Sequence, residues 1–108
     1  MQRNSYTLIK SVSEGEVAKI DVSWSMERNM ITDFSINVSV LKEDSSFDVY
    51  RVDTKHGYLH EHRFWQSLKP KKLDMGYNEA FTEKKKEIMK NYKKWILLFK
   101  ENSSGFYG

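Results

Sequence analysis

The sequence predicts an α+β fold, an antiparallel meander of four or five strands with one C-terminal helix packed on one face. Three observations point there. Apolar residues recur at every second position through the first half of the chain, the period of a half-buried strand. Short polar clusters containing Gly or Asp interrupt those runs at hairpin spacing. From Asn78 onward the apolar period becomes helical.

Residues 6–13 read as a strand suited to a sheet edge, with Tyr6, Leu8 and Val12 on one side and Thr7 and Ile9 on the other. Residues 14–16 make a turn in which Gly15 tolerates positive φ. Residues 17–24 form the second strand, Ala18, Ile20, Val22 and Trp24 alternating with Lys19, Asp21 and Ser23. Residues 25–29 are polar enough for a connection. The clearest strand is 30–42, where Phe34, Ile36, Val38 and Val40 alternate with Ser35, Asn37 and Ser39. After a turn at 43–46, β-branched and aromatic residues at Phe47, Val49, Tyr50 and Val52 mark a strand over 47–53.

Lys55-His56-Gly57 breaks the pattern, and Gly57 suits a tight turn. Residues 58–65 can form a fifth strand, with Tyr58, His60, His62 and Phe64 on one face and Leu59, Glu61, Arg63 and Trp65 on the other. Residues 69–72 are a loop around the single proline, Pro70. In the helix, Phe81, Ile88, Tyr92, Trp95 and Phe99 form the apolar stripe, and Lys84, Lys86, Lys90, Lys93, Lys94 and Lys100 the solvated remainder. Asn78 is the expected N-cap, with Glu79 and Glu83 favoured in the first turn by the macrodipole. Asn102 to Gly105 is the expected stop, with fraying beyond it. The aromatic side of the helix should cover the sheet face carrying Ile20, Trp24, Phe34, Ile36 and Val38.

A chain of 108 residues is expected to be one domain, 1–108. Its 39% hydrophobic content is low for a globular protein, and 14% aromatics offset part of the deficit. Dimerisation would add core, so a homodimer is one expected partner state. With no cysteine, disulfide frameworks, thiolate zinc sites and cysteine nucleophiles are excluded. The longest apolar run, 95–99, is too short to cross a bilayer, and the N-terminus leads into no apolar segment. No membrane partner and a cytoplasmic location are therefore expected. Residues 1–53 carry six basic and nine acidic side chains; residues 54–108 carry twelve and six. A basic half can attract phosphate backbones or an acidic partner, although a lysine-rich solvated helix face gives the same count.

The chemistry concentrates in residues 53–65, where all three histidines lie, with Asp53 before them and Arg63, Phe64 and Trp65 after. One reading is a divalent metal site such as zinc: His60 and His62, at i and i+2 on a strand, face one way, and Asp53 or His56 supplies a third ligand. A second needs no cofactor. His56, His60 and His62 would be the proton-transfer groups of RNA cleavage. Lys55 and Arg63 would hold phosphate, while Tyr58 and Trp65 stack on bases. A third is a metal-, nucleic-acid- or protein-binding module without catalysis on the same surface. A fourth is structural, with Asp53 orienting one histidine and the others solvated. Trp24, Trp95 and Phe81 belong to the core by their positions.

The stretch from Tyr50 to Arg63 resembles the central motif of small uncharacterised prokaryotic, largely archaeal, domains with a Tyr-x-x-Asp-x-x-His-Gly-x-x-His-x-His core. It is also faintly similar to TumE-type toxins of toxin–antitoxin pairs, at Tyr50, Asp53, Gly57, His60 and His62, with different spacing around the glycine. That second resemblance implies a compact strand-and-helix toxin acting on RNA or translation and neutralised by an antitoxin-like partner. Two expectations follow: a small ribonuclease-like or toxin-type protein acting on RNA through the histidine cluster, or a non-catalytic binding module.

Overall fold

The computed structural model describes residues 2–102. Its elements are β1 (Gln2–Ser13), β2 (Glu16–Glu27), β3 (Met30–Lys42), β4 (Ser45–Asp53), a 3₁₀ turn (Lys55–Gly57), β5 (His60–Arg63), β6 (Lys71–Lys72) and α1 (Tyr77–Asn102). The strands form one antiparallel sheet in the order β1-β2-β3-β4-β5-β6. The α+β meander is as expected, but there are six strands rather than four or five. The sixth pairs only Lys71 and Lys72 with Glu61 and His60, directly after Pro70. It has no side-chain period to reveal it. Leu73 N–H donating to the Leu59 carbonyl at 3.0 Å extends this pairing in the same direction.

β1, β2 and β4 run longer than their apolar patterns, whereas β5 keeps only His60–Arg63 of the strand expected over 58–65, a turn beginning at Phe64. Arg28 and Asn29 both have positive φ, 52° and 63°, the signature of a two-residue hairpin turn. That tight turn lets β2 continue through the polar residues 25–27, absorbed by a register irregularity after Ser25. Gly15 turns between β1 and β2 at φ 76°, where a side chain would be strained.

Backbone pairing fixes which side chains share a face. Ile20 lies opposite Val38, Val22 opposite Ile36 and Trp24 opposite Phe34. Val38 in turn faces Tyr50, and Ile36 faces Val52. These residues and the buried helix residues Phe81, Ile88, Tyr92, Trp95, Ile96 and Phe99 make up the core. The Phe81 ring meets Trp24 at 5.1 Å and Phe34 at 5.4 Å, and Trp95 stacks on Tyr50 at 4.4 Å. The helix therefore covers the expected face.

Its start departs from expectation. The helix begins at Tyr77, so Asn78 is inside its first turn rather than capping it. Asn78 instead bridges elements: its Oδ1 accepts from Ile31 N–H at 2.8 Å, and its Nδ2 donates to the Asn29 carbonyl. One amide thus ties the β2–β3 hairpin to the helix. Asn78→Ala leaves the Ile31 N–H unpaired and is expected to cost about 1–2 kcal/mol in denaturant unfolding. At the other end Asn102 donates to the Leu98 carbonyl. Residues 103–105 of the expected stop, and the residues beyond where fraying is expected, lie outside the described residues.

Candidate functional site

The sheet face away from the helix is polar and uncovered. Strand alternation puts Ser23, Ser35, Asn37, Arg51, Asp53, His60 and His62 there, and the pairings Ser23–Ser35, Asn37–Arg51 and Ser35–Asp53 align them. The 3₁₀ turn brings β5 alongside β4 so that Asp53 lies opposite His60 and Arg51 opposite His62. His56 and Gly57 both adopt positive φ in that turn, 70° and 83°. Thr54, buried before it, continues the pairing: its N–H donates to the Phe34 carbonyl and its hydroxyl accepts from Phe34 N–H.

Asp53 and His60 form a cross-strand pair. His60 Nε2 lies 2.9 Å from Asp53 Oδ1, with both side chains largely buried. His60 Nδ1 lies 3.2 Å from the Tyr58 carbonyl. Asp53 Oδ1 also accepts from the Lys55 backbone N–H at 3.0 Å. Both nitrogens of His60 thus face oxygen acceptors, and the ring ties the two ends of the turn together. This is the geometry expected of Asp53 orienting one histidine.

Tyr58, His60, His62 and Phe64 share one face in ring contact, as their alternation predicted. The Tyr58 and His60 centroids are 5.0 Å apart, those of His60 and His62 5.4 Å, and His62 stacks on Phe64 at 5.2 Å. His62 Nδ1 is buried without a hydrogen-bond partner. Burial pushes the His62 pKa below its usual value, and the neighbouring His60 and Arg51 add to this against the opposing pull of Asp53. His62 is accordingly neutral at neutral pH. His56 stands apart, exposed on the turn.

Arg63 and Trp65 are on the other side of the sheet. Arg63 donates to Glu61 at 3.1 Å and Glu87 at 3.2 Å, and its guanidinium lies 5.4 Å from the Trp95 ring centroid. Trp65 stacks on Trp95 at 5.5 Å. Neither shares a surface with the histidines, because period-2 alternation sends them to the helix side. Lys84, expected on the solvated helix face, is buried, with its ammonium 3.1 Å from Glu61 Oε2. The remaining helix lysines face away from the sheet's polar surface, so most of the positive charge of the second half sits across the molecule from the histidines.

Asp53, His60 and His62, the alternative metal ligands, are adjacent, but His60 and Asp53 are spent on each other. Among the described residues no group of three metal-ligating side chains is placed to hold an ion. What the open face does hold is a groove of about 470 Å³, lined by Arg3, Ser35, Asn37, Arg51, Asp53 and Lys55 among others. Arg51 is oriented by Asn37 Oδ1 at 3.2 Å and by Asp48 at 3.6 Å. A second hollow, of about 260 Å³, lies between Tyr58, Pro70 and Lys72, whose ammonium is 5.9 Å from the Tyr58 ring centroid. Arg51 was not among the sequence candidates. Arg51 was findable, being two residues before Asp53 and therefore on its face. Arg3 and Lys72 reach the surface only through register.

A six-stranded antiparallel sheet with a helix packed on one face and the other open, polar and grooved defines a two-layer α+β domain. The chain belongs to the DUF7718 family, a domain of unknown function, whose model matches residues 1–105. No curated protein and no solved structure matches it. No helix among the described residues is long and apolar enough to cross a membrane.

Proposed function

We propose that the chain is a binding module whose open sheet face takes a phosphate-bearing single strand of RNA type. The groove carries this reading: Arg3, Arg51 and Lys55, from three separate segments, line one polar hollow beside hydrogen-bonding Ser35 and Asn37. Cations fix the backbone of a single strand, and exposed aromatic rings stack its bases. Tyr58, 38% exposed and next to Lys72, is such a ring. Asp33 also lines the groove and supplies an acceptor suited to a base edge rather than to a second phosphate.

Binding is favoured over turnover because the His60 ring is buried with its Nε2 against the Asp53 carboxylate. The metal-free ribonuclease reading stands second. It is favoured by the neutral state of His62 opposite Arg51, and by the resemblance to toxins that act on RNA. In that reading His62 and exposed His56 are the proton-transfer groups, and an antitoxin-like partner would cover the groove.

The test is fluorescence anisotropy with a labelled single-stranded RNA in chelator, followed by gel analysis of the same RNA. Saturable binding, uncut RNA and a salt slope reduced by about one per residue in Arg51→Ala and Lys55→Ala are expected. No binding at low salt sinks the proposal. Cleavage in chelator that disappears in His62→Ala would install the second reading instead.

A further inference from the structure

The two edges of the sheet are built differently. The β6 edge is two exposed lysines following a proline, a short charged edge on which no further strand can easily grow. The β1 edge is twelve residues long, contains no proline, and carries only two charges, Arg3 and Lys10. β1 is paired on one side, with β2, so along its outer side alternate backbone N–H and carbonyl groups have no strand to meet. Its apolar side chains are also incompletely covered. The helix lies over β3 and β4, leaving Tyr6 40% and Ile9 57% exposed on opposite faces of β1. Beside Tyr6 and Leu8, helix residue Met89 is 43% exposed and shares their apolar crevice.

We propose that β1 pairs antiparallel with β1 of a second copy of this chain, joining the two sheets into one across a two-fold axis. An antiparallel edge pairing of identical strands is self-complementary by symmetry. Directly opposed residues must share a face, and the register with Thr7 on the axis satisfies this along almost the whole strand. There Tyr6 meets Leu8 of the second copy, Ser5 meets Ile9, Asn4 meets Lys10 and Arg3 meets Ser11. No like charges oppose each other, and the exposed apolar residues gain cross-strand neighbours. The second copy fits where an unrelated strand has no charge pattern to recognise. Arg3 then sits at the junction, so the polar groove of one copy runs on to the open face of the next. The pairing rests on the β1 edge alone and stands or falls independently of what the groove binds.

Sedimentation equilibrium on the full chain tests it, with the Tyr6→Lys/Ile9→Lys double variant as control. Ile9 is exposed and Tyr6 half-exposed beside Trp24, so the variant should keep the wild-type circular dichroism with a modestly lower melting temperature. The expected result is a wild-type mass that rises with concentration from 12.9 kDa toward twice that value, and a folded variant that stays monomeric. The chain has no cysteine of its own, so Thr7→Cys introduces a unique thiol that should cross-link across the axis under oxidation. A wild-type chain that remains monomeric at about millimolar concentration overturns the proposal. So does a dimer that the double variant leaves intact.

Discussion

Glu61→Ala is expected to lower folding stability by about 3–5 kcal/mol, the cost of removing one partner from a buried ion pair. Glu61 is 4% exposed and lies between the sheet and the helix. Its Oε2 accepts from the Tyr50 hydroxyl at 2.6 Å and from Lys84 at 3.1 Å, and its Oε1 from Arg63 at 3.1 Å. Alanine leaves Lys84 buried with only Glu87, at 3.5 Å, to answer its charge, and leaves the Tyr50 hydroxyl without its acceptor. The loss should therefore exceed that of an ordinary core truncation of the same volume. Replacing the whole cluster by apolar residues, as in Tyr50→Phe/Glu61→Leu/Lys84→Met, removes the desolvation cost together with the attraction. That triple variant should be far closer to wild type than Glu61→Ala. Urea midpoints measure both, and a triple variant as unstable as the single one would show that the network stabilises outright.

The same network gives the fold an acid-sensitive limb. Burial pushes the Glu61 pKa up, but the Tyr50 hydrogen bond and the charges of Lys84 and Arg63 outweigh it and hold the carboxyl below its ordinary value. Burial, reinforced by the Glu61 hydrogen bond, pushes Tyr50 far above its usual value, so its hydroxyl remains a donor. Glu16 is likewise lowered, its burial outweighed by Lys100 and Ser13. For carboxylates depressed in the folded state, stability is fully present above the unfolded pKa and falls as pH drops through the folded one. His62 has the same sign: its folded pKa is lowered, so the unfolded chain binds the proton more readily below about 6.5. Stability should therefore decline in two stages on acidification.

Much of this architecture is readable from side-chain period, and what escapes is held by backbone or by register. Phe34 to Val40 and Phe81 to Phe99 announce their elements because one face of each is dry. Lys71 and Lys72 pair through backbone groups alone, so their composition says loop while their hydrogen bonding says strand. Asn78 looks like a cap because a helix-start asparagine usually is one, yet its amide serves a hairpin forty-nine residues earlier. Lys84 looks solvated until Glu61, twenty-three residues away, is placed beneath it. In the candidate site, strand alternation is enough to put Tyr58, His60, His62 and Phe64 together and Arg63 and Trp65 elsewhere. The groove itself adds Arg3, from the far edge strand, to Arg51 and Lys55 beside Asp53, and no local pattern in one sequence carries that convergence.

His60 and His62, two residues apart on one strand, should respond oppositely to truncation. His60→Ala removes a buried ring that faces Asp53 and the Tyr58 carbonyl, and leaves the largely buried Asp53 carboxylate with only the Lys55 N–H. Its cost should fall near that of breaking a buried pair, about 3–5 kcal/mol, with the β4–β5 turn the first part to open. Asp53→Asn is milder, since the amide keeps an oxygen for both the ring and the Lys55 N–H. His62→Ala removes a ring whose Nδ1 is buried and unpaired, so it deletes no hydrogen bond of that atom and relieves its desolvation. What is lost is stacking on Phe64, the edge contact with His60 and a backbone hydrogen bond at Leu68, and the expected change is under about 1.5 kcal/mol. Thermal melts of the two variants at pH 7, with hydrogen exchange read at Gly57 and Leu73, decide the matter. If His60→Ala melts like wild type, the pair with Asp53 is not holding the turn, and His60 becomes the residue to test for chemistry. If it unfolds as expected while His62→Ala stays folded, any role in RNA binding or turnover can be assayed cleanly at His62.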